Sequence, residues 1–141
     1  MSRTFNSPQD AEDAYYDALE EGDMETLLTV WDETEDISCL LPMQPLARGR
    51  SAVSDTFVRL FARGQGVALS VKHLNWIEAG SIAIHLVEES PQGHGPGGNP
   101  LPAVYGTNVY RQGTGGWRLI LHQNAPTPPP AGSMPPMARP R

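Results

Sequence analysis

The sequence predicts an α+β domain, with a helical half packed on one face of an antiparallel sheet. Apolar residues recur at three- and four-residue spacing as far as Phe61, then at every second residue from Val67. Helix start and stop signals punctuate the first half, and glycine turns the second. Helices first and strands afterwards gather the helices on one side of a single sheet. A sheet that curls over its helices leaves a space between them, and such spaces are natural ligand sites.

The first helix opens at Ser7-Pro8-Gln9-Asp10. Ser7 is the N-cap, Pro8 the first helical residue, and Asp10 lies near the positive end of the dipole. Ala11, Ala14, Tyr15, Ala18 and Leu19 share one face, and Gly22 ends the helix. Asp23 caps a second helix carrying Leu27, Leu28, Val30 and Trp31. A short strand, DISCLL, aligns Ile37, Cys39 and Leu41 before Pro42 and Pro45 break it. Ser51 then caps a third helix, with Val53, Phe57, Leu60 and Phe61 inward and a stop at Gly64.

Four long strands follow. Val67, Leu69 and Val71 alternate with Ala68, Ser70 and Lys72, after which the apolar phase moves to Leu74 and Trp76. That shift predicts a bulge near His73. Ala79-Gly80 turns into SIAIHLVEES, and AVYGTNVYR crosses a glycine-rich turn into WRLILHQNA. Alternation puts Asn108, Tyr110, Ile120, His122 and Asn124 on the inner face. It puts Thr107, Val109, Leu119 and Leu121 on the outer face, a semi-apolar surface that predicts a homodimer.

A length of 141 residues suits one domain, 1–126, followed by a flexible proline-rich tail, 127–141. The loop PQGHGPGGNPLP, 91–102, reads as a mobile lip over the space its strands enclose. The net charge is −6 and the ten basic residues are scattered, which excludes nucleic acid as a partner. No apolar run reaches the roughly 20 residues of a membrane span, and the N-terminus lacks a secretory apolar region. The single cysteine, Cys39, cannot form an internal disulfide, so a cytoplasmic location is expected. The histidines show no HxH or ExxH spacing, so neither metal nor cofactor is expected.

The run GDMETLLTVWDETEDISCLLPMQPLARGRSAVSDTF and the closing GTNVYRQGTGGWRLILHQNAP resemble the nuclear transport factor 2-like superfamily, in its ketosteroid-isomerase-like and SnoaL-like branch. The pattern spans about residues 8 to 125. The resemblance implies a cone-shaped sheet closed by three helices, commonly dimeric through its outer face. The last hairpin also resembles the association domain of calcium/calmodulin-dependent protein kinase II, where residues matching Asn108 and Asn124 face the pocket. In ketosteroid isomerase the general base is an aspartate whose position resembles Cys39 here, while the oxyanion tyrosine resembles Tyr15. The second oxyanion partner has only Thr107 or Asn108 near its place, so steroid isomerisation by that mechanism is not expected.

The candidate site is therefore a cavity surrounded by Tyr15, Trp31, Cys39, Phe57, Asn108, Tyr110, His122 and Asn124. Tyr15, Cys39 and His122 are the candidates for catalysis; the others are walls and anchors. One of the adjacent Glu88 and Glu89 must face inward, where an apolar cone would raise its pKa and suit it to act as a base. Leucine at Asn108 is expected to leave the fold intact if the amide serves a ligand. The expected ligand is a small apolar molecule with a carbonyl. Either an isomerase, cyclase or dehydratase, or a non-catalytic binding or dimerisation module, fits these residues.

Overall fold

The computed structural model describes residues 3–62, 64, 66–93, 96–98 and 101–128. The tail expected from residue 127 lies outside them from residue 129 onward, as do four residues of the expected lip. The elements run α1 (Pro8–Glu21), α2 (Met24–Val30), β1 (Ser38–Leu40), β2 (Ala47–Arg48), α3 (Arg50–Leu60), β3 (Leu69–Ala79), β4 (Ile82–Pro91), β5 (Val104–Gly113) and β6 (Gly116–Pro126).

Local chemistry sets the helix ends. The Ser7 hydroxyl accepts the Asp10 N–H at 3.0 Å, and Gly22 ends α1 at φ 67°, a left-handed conformation that suits glycine. The Asp23 carboxylate accepts from the Thr26 N–H at 3.1 Å and its hydroxyl at 2.6 Å. The third helix departs from expectation. Gly49, not Ser51, is its N-cap, without a side-chain cap, and the helix ends at Leu60, before Gly64. Arg50 has a different task. Its guanidinium donates to the carbonyls of Leu28, Trp31 and Asp32 at 3.2, 3.1 and 2.6 Å, satisfying acceptors that the end of α2 leaves open.

The sheet has six strands in the order β2-β1-β6-β5-β4-β3. It is mixed, where a purely antiparallel sheet was expected: β1 runs parallel to β6, pairing Ser38 with Leu121 and Cys39 with His122. The expected bulge is present, with the β3–β4 register shifting between His73 and Asn75. A second shift lies between Val109 and Tyr110, whose partners on β6 are Leu121 and Leu119. Ile120 is therefore the extra residue, and strict alternation fails there. Leu119 is fully buried beside Trp117 rather than on the outer face.

Helices α1 to α3 cover the inner face. Tyr15 meets Trp31 and Phe57 edge-on, with ring centroids 6.4 and 6.2 Å apart, and all three are buried. No helix among the described residues is long and apolar enough to cross a membrane.

Candidate functional site

Helical and strand periodicities converge on one polar cluster. On α1, Glu12, Tyr15, Tyr16 and Leu19 follow the i, i+3, i+4, i+7 pattern of a single face. Across the sheet, Trp76, His85, Asn108, His122 and Cys39 are register partners in one row on five strands. Glu89 lies two residues along β4 from Val87, and so shares the inward parity of His85. Glu89 is thus the inward glutamate, only 3% exposed, and Glu88 turns away.

The cluster contains two buried carboxylates. Glu12 lies 2.5 Å from His73 Nε2 and 2.8 Å from His85 Nδ1. It also accepts from the Tyr110 hydroxyl at 3.2 Å and the Asn108 amide at 3.3 Å. Burial raises its pKa, but His85 and then His73 outweigh that and hold it below the ordinary carboxylate range. Glu89 accepts from the Tyr16 hydroxyl at 2.6 Å and the Asn124 amide at 2.9 Å. Asn108 joins the two groups. Its amide nitrogen donates to Glu12 and, at 2.9 Å, to Tyr16, and its carbonyl meets His122 Nδ1 at 2.5 Å.

His122 is held between two amides, with Nε2 3.0 Å from the Asn124 carbonyl and 3.7 Å from Glu89. The two contacts and burial pull in opposite directions. Burial is the larger effect and holds the imidazole pKa below its ordinary value, against the pull of Glu89 and Asn124. Gly106 makes room for this arrangement, since a Cβ there would stand 3.1 Å from Glu89 Oε2.

A cavity of about 410 Å³ opens beside the cluster. Its walls are Leu19, Leu41, Leu60, Val67, Leu69, Leu101, Pro102 and Val104, and its polar groups include Glu89, His122 and Asn124. Tyr15 also lines it, yet its hydroxyl has no partner among the described residues. Burial, followed by the neighbouring Cys39 and Glu89, raises the phenol pKa well above its ordinary value and keeps it protonated. An apolar chamber with a few polar groups along one wall is the usual form of a small-molecule site.

Of the residues singled out by sequence, Tyr15, His122 and Asn124 line the cavity, as does Leu60, expected in the core. Asn108 and Tyr110 stand one layer behind, and Trp31 and Phe57 belong to the packed core. Cys39 is also in the core, its thiol pushed up to about 12 by burial and then by Glu89. A thiol in that state is no nucleophile at neutral pH. Iodoacetamide at pH 8 is expected to leave Cys39 unmodified in the folded protein and to alkylate it in urea. Rapid labelling of the native state, read by intact mass, would contradict this. Glu12, Tyr16, His73 and His85 are the additions from structure. For Glu12 and Tyr16 the available signal was their helical spacing to Tyr15 and Leu19.

An open α+β sheet with three helices across its inner face and a cavity beside a buried polar row defines the nuclear transport factor 2-like class. The chain belongs to the SnoaL-like family within it, whose model matches residues 9–127. Among solved structures, it is 32% identical to a chain from Thiobacillus denitrificans, provisionally named a calcium/calmodulin-dependent protein kinase type II association domain. That match covers 89% of this chain and 98% of the other, with a TM-score of 0.80. A provisionally named dehydratase of the NTF2-like family from Streptomyces avermitilis is 27% identical over 83% of this chain and 91% of its own, with a TM-score of 0.69. A ketosteroid isomerase-like protein from Erwinia carotovora atroseptica shares the fold at 16% identity and a TM-score of 0.65, over 86% of this chain and 94% of its own. No curated protein matches the chain.

Proposed function

We propose that the protein is an acid–base enzyme acting without a cofactor on a flat, apolar carbonyl compound, in the isomerase, cyclase or dehydratase class. The observation that carries this is one cavity lined by both a buried carboxylate, Glu89, and a phenol, Tyr15, whose hydroxyl has no partner among the described residues. Glu89 takes the role of general base. Tyr16 and Asn124 fix its orientation and leave lone pairs for a substrate proton. The Tyr15 hydroxyl donates to the substrate's carbonyl oxygen, stabilising the charge that develops there as a proton leaves the adjacent carbon. The apolar walls exclude water and hold the carbon frame. The Streptomyces relative's provisional name supports elimination chemistry in a pocket of this kind.

The test uses 2-acetylnaphthalene as a flat ketone probe, followed by NMR in deuterium oxide. Wild type is expected to bind it and speed exchange of the protons next to the carbonyl. Glu89→Gln should slow that exchange by at least about 100-fold, within the range attributed to a positioned base. Tyr15→Phe should weaken ketone binding more than that of 2-ethylnaphthalene. Binding without exchange above the buffer rate would instead favour a non-catalytic binding module.

A homodimer joined through the outer face of the sheet is the second part of the proposal. Ile77, Ile84, Val109 and Leu121 are register partners in one apolar row across four strands, and Ile77 is 43% exposed. Such a row left in water favours self-association. Size-exclusion with light scattering at micromolar concentration is expected to give twice the chain mass, and Val109→Lys is expected to give a monomer. A wild-type monomer under those conditions would sink the idea.

A further inference from the structure

Glu12, His73 and His85 come from α1, β3 and β4, and none of them lines the cavity. Their nitrogen and oxygen donor atoms all lie within 4.8 Å of one another. Two imidazoles thus address one carboxylate, at 2.5 and 2.8 Å. His85 is fully buried, and its remaining nitrogen, Nε2, has no partner among the described residues. The ring stacks 3.9 Å from Trp76 and lies 5.2 Å from Tyr110, centroid to centroid.

That environment constrains where the imidazole proton sits. If the single proton of neutral His85 is on Nδ1, facing Glu12, then Nε2 is a buried lone pair among aromatic rings with no donor. If it is on Nε2, aromatic faces can receive the N–H. Nδ1 then turns a lone pair on the Glu12 carboxylate, a repulsion that a cation shared between them would relieve.

We propose that this cation is a divalent transition-metal ion, held by Glu12, His73 Nε2 and His85 Nδ1, with zinc the best match to two imidazoles and a carboxylate. Donors sharing an ion at about 2.0–2.2 Å stand roughly 3–3.5 Å apart. The two carboxylate contacts would lengthen by up to about 1 Å, and a donor pair near the 4.8 Å bound would close by about 1.3 Å, shifts within reach of side-chain rotation. Tyr110 and Asn108 donate to Glu12 Oε2 and fix the carboxylate, as outer partners do at metal sites. His73 is 35% exposed and gives the ion its way in and room for a water ligand. The absence of HxH or ExxH spacing does not count against the site, because sheet register and the α1 face bring the ligands together.

The test is direct titration of chelator-stripped, folded protein with zinc, repeated with cobalt, whose d–d absorption reports the ligand set. One ion per chain at micromolar or tighter affinity is expected, with a rise in Tm. His73→Gln, chosen because its half-exposed side chain can change without disturbing the core, should weaken zinc binding by at least about 100-fold while circular dichroism stays unchanged. His122→Gln should leave zinc affinity within about threefold of wild type. No stoichiometric uptake by folded wild type would overturn the proposal, as would uptake that His73→Gln leaves intact. A doubly protonated His85 in nitrogen-15 spectra, unchanged by added zinc, would assign the cation as a proton instead.

Discussion

Truncating Trp31 to alanine costs the fold about 3–5 kcal/mol, the range for removing a large buried aromatic. Trp31 is 1% exposed, meets Tyr15 edge-on and packs on Phe57 at 6.4 Å. Its backbone bridges to Leu119 of β6, which places the buried indole at the junction between the second helix and the sheet. The helices around it are anchored at caps and by Arg50, and can collapse only partly into the gap. Urea denaturation at neutral pH measures the loss. A cost below about 1 kcal/mol would mean that the indole lines ligand space rather than core.

Replacing Asn108 with leucine comes next, at about 1–3 kcal/mol for each buried polar group it strands. The sequence alone suggested that this amide waits for a ligand, so that leucine would be tolerated. In the structure the amide is already satisfied, by Glu12, Tyr16 and His122. Leucine leaves His122 Nδ1 buried without its partner, and removes one donor from Glu12 and one from Tyr16. The same denaturation measurement checks it. A wild-type midpoint, with binding of the ketone probe abolished, would restore the ligand-anchor reading.

The boundaries of α1 and the start of α2 were legible because caps are local: Ser7 with Pro8, and Gly22 with Asp23, each act within a turn. The β3 bulge was legible too, since the apolar phase visibly jumps at Leu74. The β6 bulge was not. Leu119, Ile120 and Leu121 are three apolar residues in succession, and such a run carries no parity to read. Three of the eight expected cavity residues were legible by periodicity: Tyr15, on a helix, and His122 and Asn124, on a strand, reach the cavity. Glu12 was hidden for a different reason. A charged residue at the edge of a helix face reads as solvated until its partners, 61 and 73 residues away, are brought beside it.

The bulge at Ile120 has a consequence for how such a protein can change. It works as a phase switch: before it, β6 turns Trp117 and Leu119 into the oil, and after it, His122 and Asn124 toward the cavity. Substitutions on the cavity side can therefore retune what is bound without repacking the hydrophobic half. Pairing Ile120 into a regular ladder would do the reverse, rotating Leu121 inward and His122 outward together, whereas deleting Ile120 would leave both facing as they do. One unpaired residue thus holds the two halves of the strand in opposite phase, and the side chains on the cavity side depend on its staying out of the ladder.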